Sequence, residues 1–86
     1  MSLDASMTLD ELLDILRECG GPPDPVDEGV DRLDVEFVYL GYDSLALLEA
    51  AARVERERGV RLTDDEVGAA RTPRALLTMI NSPART

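Results

Sequence analysis

Few side chains in this sequence could do chemistry, because it contains no histidine and a single cysteine, Cys19. Without histidine, neither the Ser-His and Cys-His pairs that activate a nucleophile nor a His-ligated metal site can form. A lone cysteine gives no intramolecular disulfide and no CxxC metal motif, and it fits a reducing compartment. We therefore expect no catalytic residue and no metal ion.

One hydroxyl has an unusual setting, that of Ser44 in the segment GYDSL at 41–45. Asp43 is a natural N-cap, which makes Ser44 the first residue of a helix. A phosphate ester on a serine there would be favourably placed, because a helix N-terminus carries unpaired amides and a positive dipole end. The alternative is that Asp43 and Ser44 simply start a helix. A catalytic Asp43–Ser44 pair is a weak interpretation, since an ordinary carboxylate is a poor base for a serine hydroxyl.

Two helices are predicted around this segment. Thr8 and Glu11 form a capping box for a first helix of about 8–19, which Gly20 and Gly21 end. The second helix begins at Ser44 and continues to 58, where the next residue, a glycine, stops it.

Two shorter helices follow. Thr63 caps a third helix that reaches about Ala70, and Thr72 followed by Pro73 starts a last helix that ends near Asn81. The fold class predicted is all-α, a small antiparallel four-helix bundle with a long first loop and a short third helix.

The long connection at 20–43 contains prolines and glycines but also recurring apolar residues. We expect these to pin it across the bundle: Val26, Val30, Leu33, Val35 and Phe37. Residues 35–40 could pass for a strand, but an isolated strand has no partner here. A one-turn helix at 35–40 is as plausible.

The second helix is predicted to have two unlike faces. One face is apolar and faces the core: Leu47, Ala50, Ala51 and Val54. The other side carries leucines among charged residues: Leu45, Leu48, Glu49, Ala52, Glu55 and Arg56. Leucines beside acids are typical of a contact surface, although a loop folded over them would serve equally well.

The whole chain has 86 residues and a net charge of −9, which indicates one small acidic domain. The negative field argues against nucleic acid and membrane surfaces as partners and favours basic protein surfaces. We expect a cytoplasmic monomer with a flexible N-terminus at 1–7, a folded domain at 8–82 and a flexible C-terminus at 83–86.

The segment LGYDSL at 40–45, followed by LLE at 47–49, resembles the attachment region of an acyl carrier protein. The order of long, long, short and medium helices and the acidic total agree, and the resemblance covers residues 8–81. It implies that Ser44 accepts 4'-phosphopantetheine from coenzyme A through a separate synthase, and that the thiol of this arm carries acyl groups as thioesters. It also implies a non-catalytic carrier.

The resemblance is closer to the stand-alone carriers of bacterial aromatic (type II) polyketide synthases than to fatty-acid carriers, which more often have an acid where this chain has Ala46. In those polyketide carriers the residues that match Arg74 and Asn81 point toward the interior and can meet a polar growing chain. Their spacing of seven places both on one side of the last helix. The alternative roles are a solvated side chain for Arg74 and a helix end for Asn81.

The resemblance implies docking of the second helix to basic grooves on partner enzymes. The candidate recognition residues are Asp43, Leu45, Leu48, Glu49 and Glu55, although Arg53 could pair with Glu49 and Glu57 and neutralise part of this face. The implied partners are a phosphopantetheinyl transferase, a malonyl transacylase, a ketosynthase with its chain-length factor, a ketoreductase and an aromatase/cyclase. The alternatives are a fatty-acid-type carrier or an unmodified acidic adaptor. Val38 and Tyr39 depart from the family pattern, because many relatives have at least one acidic residue at these positions, just before the Leu-Gly pair.

Overall fold

A computed structural model describes residues 6–82 of the chain as a bundle of four α-helices. The helices are α1 (Leu9–Gly20), α2 (Ser44–Arg58), α3 (Asp64–Ala69) and α4 (Pro73–Ile80). A 3₁₀ turn at Arg32–Asp34 interrupts the connection between α1 and α2, and no strand occurs within 6–82. The predicted fold class is confirmed. Over the same residues, no helix combines the length and the apolar character needed to cross a membrane.

The helix starts are fixed by local capping, as the sequence predicted. Thr8 and Thr63 each form a complete capping box, with Glu11 and Glu66 respectively. The Thr72 hydroxyl accepts a hydrogen bond from an amide of the first turn of α4, where Pro73 needs no amide partner. Because each cap satisfies amides that a helix leaves unpaired, these short helices begin at defined residues.

The core lies between α1, α2 and α4. Leucines of α1 and α4 fill it, and the largest fully buried side chains include Leu12, Leu16 and Leu76. The inward face of α2 is made of small residues, with Ala50 completely buried, so α1 can approach α2 closely. At the C-terminal end of α1, a Cβ atom on Gly20 would lie only 3.0 Å from the Cβ of Ala46. The absence of a side chain at Gly20 therefore lets α1 pack against the first turn of α2.

The long connection is pinned to the core, but not in every detail as predicted. Phe37 is buried, and its amide donates to the Arg71 carbonyl at 2.8 Å. A short 3₁₀ helix lies earlier, at Arg32–Asp34, where the Asp31 side chain caps the Leu33 amide. Val30 is not pinned. It is 47% exposed, and its amide donates to the Asp27 carbonyl at 3.2 Å within a turn.

The segment 35–40 forms no strand and no regular helix. Residues 37–41 form a turn, and the Leu40 amide donates to the Glu36 carbonyl at 3.2 Å, which is the spacing of a single helical turn.

The N-terminal boundary also differs from the prediction. Met7, placed in the flexible terminus by the sequence argument, is buried in the core. It directly precedes the N-cap Thr8, and Leu12 is the fourth residue of α1; apolar residues at these two positions form a hydrophobic staple. The predicted flexibility of residues 1–5 and 83–86 lies outside the described residues.

Candidate functional site

Ser44 is the first residue of α2 and is exposed. The Asp43 carboxylate accepts a hydrogen bond from the Ala46 amide at 2.9 Å, which caps the helix as predicted. On the preceding side, the buried Tyr42 hydroxyl donates to the Gly21 carbonyl at 2.9 Å, and burial raises the pKa of this phenol. The turn that presents Ser44 is thereby anchored to the end of α1.

An open cleft of about 610 Å³ adjoins Ser44 between α2, α3 and the turn before α2. Apolar residues make up much of its lining: Phe37, Val38, Leu47, Leu48, Val67 and Ala70. Its charged lining residues are the acids Glu36, Asp43 and Asp64 and the cation Arg71. A serine at the edge of a largely apolar cleft could hold a group whose far end enters the cleft.

The arrangement fits a phosphodiester on the Ser44 hydroxyl. Ser44 lies at the N-terminus of a helix of 15 residues, where unpaired amides and the positive end of the dipole stabilise an anion. The Asp43 carboxylate already accepts from the helix, so its charge is partly offset. Such an ester would extend into solvent or into the cleft without displacing a core residue.

The outward face of α2 is as the sequence predicted. Leu45 is 66% exposed, and Leu48, Glu49 and Glu55 are also exposed. Glu49 has no ion pair within residues 6–82, because Arg53 pairs with Glu57 and with Glu18 of α1 instead. The expected pairing of Arg53 with Glu57 is thus confirmed, whereas that with Glu49 is wrong.

Glu55 stands in a different electrostatic setting on the same face. The guanidinium of Arg61 approaches its carboxylate to 3.3 Å. Part of the charge on Glu55 is therefore offset within the chain, which leaves Glu49 as the stronger of the two candidates for contact with a partner.

The structure does not place Arg74 beside the cleft, which corrects the expectation that it points inward. Its side chain is 54% exposed, and its guanidinium donates to both carboxylate oxygens of Asp34, at 2.7 and 3.1 Å. Asp31 adds a contact at 3.5 Å. No sequence pattern indicated this pair, because Asp34 is 40 residues away along the chain.

Asn81 is half-buried but also lies away from Ser44. Its side-chain oxygen accepts from the Met7 amide at 2.7 Å, and its side-chain nitrogen donates to the Met7 carbonyl at 3.0 Å. It borders a separate, more polar cavity of about 660 Å³ near Glu57 and Arg58, at the opposite end of α2. Asn81 therefore holds the N-terminal segment, since both its side-chain oxygen and its side-chain nitrogen are bonded to the Met7 backbone.

Three residues of the Ser44 region were not selected from the sequence as site residues. Val38 and Tyr39 are each 69% exposed in the turn before Ser44, so an apolar surface continues from α2 onto this turn. Arg71 lines the cleft from the α3–α4 junction. The apolar pair was visible as a departure from the family pattern, but nothing in the sequence distinguished Arg71 from the other arginines.

Comparison with known proteins places this geometry in context. Residues 10–80 match the family described as Phosphopantetheine attachment site. The oxytetracycline polyketide synthase acyl carrier protein of Streptomyces rimosus is 54% identical over 76 residues, which cover 88% of this chain and 80% of that one. The granaticin polyketide synthase acyl carrier protein of Streptomyces violaceoruber is 52% identical over 77 residues, or 90% and 91% of the two chains.

Solved structures agree with the fold. The actinorhodin apo acyl carrier protein from S. coelicolor superimposes with a TM-score of 0.76 at 45% identity and covers 93% of both chains. The solution structure of the oxytetracycline acyl carrier protein has a TM-score of 0.75 at 51% identity, covering 94% of this chain and 85% of that one.

Proposed function

The chain belongs to the phosphopantetheine-attachment family and, within it, to the acyl carrier proteins of type II polyketide synthases; from this membership we propose that Ser44 bears the prosthetic arm. The protein is a carrier subunit, not a catalyst, and its cofactor is covalent 4'-phosphopantetheine. When bound, this group supplies a terminal thiol on which acyl groups are held as thioesters. The exposed Ser44 hydroxyl at the first turn of α2, beside a largely apolar cleft, is the observation that carries the assignment.

The chain's own residues orient this hydroxyl. Asp43 fixes the first turn of α2 by capping the Ala46 amide, and Tyr42 ties the preceding turn to α1 through Gly21. The amides at the N-terminus of α2 stabilise the negative charge of a phosphodiester on Ser44. These residues position and stabilise; none of them makes or breaks a bond of the cargo.

The cargo we assign is the growing chain of an aromatic polyketide. The similarity to polyketide carriers over nine-tenths of the chain supports this over a fatty-acid cargo. The cleft beside Ser44 would shelter part of the chain, with Leu47 and Val67 contacting its apolar portion. An unmodified acidic adaptor would leave both the cleft and the Ser44 hydroxyl without a role.

The protein works with polyketide synthase enzymes, and we assign their docking to the outward face of α2. Leu45 and Leu48 supply exposed apolar area beside Asp43 and Glu49. This pattern fits an apolar patch with basic groups at its rim on the phosphopantetheinyl transferase, malonyl transacylase, ketosynthase/chain-length factor, ketoreductase and aromatase/cyclase. We also propose a cytoplasmic location, in keeping with the single free thiol of Cys19.

The attachment is tested by mass. The protein is incubated with coenzyme A and a broad-specificity phosphopantetheinyl transferase and then weighed intact. We expect the gain of one phosphopantetheine group on the wild type and on Ser6→Ala, but none on Ser44→Ala, because only one hydroxyl is esterified. No gain on the wild type, or the same gain on Ser44→Ala, would refute the assignment.

A further inference from the structure

The cleft beside Ser44 is poor in hydrogen-bond donors. Among its lining side chains only Tyr42, Ser44 and Arg71 carry an N–H or O–H group. Tyr42 already donates to the Gly21 carbonyl, and esterification removes the hydroxyl proton of Ser44. The carboxylates of Glu36, Asp43 and Asp64 only accept. After the arm is attached, Arg71 is the one lining side chain left to donate to an oxygen atom in the cleft.

The Arg71 guanidinium is also free to donate hydrogen bonds, because no carboxylate within residues 6–82 pairs with it. Its side chain is exposed and has no ion pair within residues 6–82. Arg74, three residues later on the same segment, is engaged by Asp34 and Asp31. Of these two neighbouring arginines, only Arg71 therefore offers an unpaired guanidinium to the cleft.

The backbone around Arg71 is held on both sides. Its carbonyl accepts from the amide of Phe37 at 2.8 Å, and Phe37 is a buried residue that also lines the cleft. The next residue, Thr72, caps α4 by accepting from the Ala75 amide at 3.2 Å. The guanidinium thus extends from a fixed point at the edge of the cleft rather than from a free loop.

We propose that Arg71 donates hydrogen bonds to ketone oxygens of the carried chain and so selects polar poly-keto chains over saturated ones. A ketone that enters an apolar cleft loses its hydrogen bonds to water unless the protein replaces them. The carboxylates on the same lining repel carbonyl oxygens, which leaves this role to Arg71. The inference rests on the proposed attachment at Ser44, and it gives the inward polar contact to Arg71 instead of Arg74.

The test compares two cargos of equal length on the same protein. A transferase loads the arm bearing either a six-carbon diketone chain or the matching saturated chain, each from its coenzyme A derivative. NMR then follows the Arg71 Nε–Hε signal and the ¹³C shifts of the chain carbonyls. We expect the diketone alone to move the Nε–Hε signal and the carbonyls to shift downfield through hydrogen bonding.

Variants connect these shifts to the side chain. In Arg71→Met the ratio of cleft-bound to solvent-exposed diketone should fall about tenfold, the effect of losing one charge-assisted hydrogen bond. Arg71→Lys should restore part of the ratio, because an ammonium still donates. Arg74→Met is the matched control and should leave the carbonyl shifts unchanged. The amide spectrum of each variant verifies that it is folded.

Four outcomes would overturn the proposal. If the Nε–Hε signal moves on attachment of the unloaded arm, Arg71 binds the phosphodiester; if the saturated chain moves it equally, the contact is merely apolar. An equal loss in Arg74→Met would also contradict it. Mass measurement of the same samples separates the two hypotheses: a loaded sample without these shifts refutes the Arg71 contact alone, whereas a sample that never gains mass refutes the attachment as well.

Discussion

At the scale of single residues, two arginines three positions apart have different surroundings. Arg74 is held by Asp34 of the long connection, whereas Arg71 makes no ion pair within residues 6–82 and lines the cleft. Neither arrangement could be predicted from the sequence, because Asp34 reaches Arg74 only through the folded connection and the position of Arg71 depends on the packing of Phe37. The cap at Asp43 could be predicted, since capping depends on neighbours within one turn.

The Arg74–Asp34 pair gives a prediction in acid. Hydrogen bonds from Arg74 lower the pKa of Asp34 below its ordinary 3.8. Since the folded-state pKa lies below the unfolded one, the pair stabilises the fold above the unfolded pKa and loses this effect as the pH falls through the folded value. In Arg74→Met we expect the NMR titration midpoint of Asp34 to return toward 3.8.

The stability that this ion pair gives the fold should depend on pH in the same way. The difference in free energy of unfolding between wild type and Arg74→Met should be present at pH 7 and vanish in acid. Arg71→Met provides the control, because Arg71 makes no ion pair with Asp34 and should leave its midpoint in place. A midpoint that does not move in Arg74→Met would show that Asp34 owes its titration to some other group.

At the scale of elements, the helices were predictable within one or two residues, but the loop was not. Each helix has its own capping residue and terminator, so its limits are encoded locally. The 3₁₀ turn at Arg32–Asp34 forms where Asp31 caps it and α4 packs against it. This turn was not predicted from the sequence, because its packing against α4 depends on the folded chain.

Glycines in two helices should respond oppositely to alanine. At Gly68, inside α3, an added Cβ atom would meet nothing within 4 Å, so Gly68→Ala should stabilise the protein by up to about 1 kcal/mol through helix propensity. Gly20→Ala should destabilise it by about 1 kcal/mol or more, since its Cβ would lie 3.0 Å from Ala46 and 3.1 Å from Tyr42. Urea unfolding of both variants measures the change in the free energy of unfolding. If Gly20→Ala also stabilised the protein, α1 and α2 would have to move apart enough to admit the added methyl group.

At the scale of the whole molecule, the net charge of −9 predicted the kind of partner but not where contact occurs. The structure favours Glu49 as a contact residue, because Arg53 forms ion pairs with Glu18 and Glu57 and leaves Glu49 unpaired within residues 6–82. We therefore expect the acidity to act on partners through particular carboxylates as well as through the net charge.

A matched pair of charge variants tests this. Glu49→Gln should slow association with the ketosynthase partner about two- to fivefold at low salt, the size of an exposed ion pair, and the difference should shrink above roughly 0.5 M salt. Asp10→Asn, on α1, makes the same change in net charge and should have a smaller effect. Stopped-flow binding measures both rates, and equal slowing would indicate that only net charge matters.

The pairing of Asn81 with Met7 has a consequence for how the protein can be connected to others. Both side-chain polar groups of Asn81 are hydrogen-bonded to the Met7 backbone, so the first and last folded segments of the chain lie side by side. They meet near Glu57 and Arg58, about 20 Å along α2 from Ser44. A linker could close the chain into a ring there, or a neighbouring domain could be fused there, and the serine would still face outward on an unobstructed side.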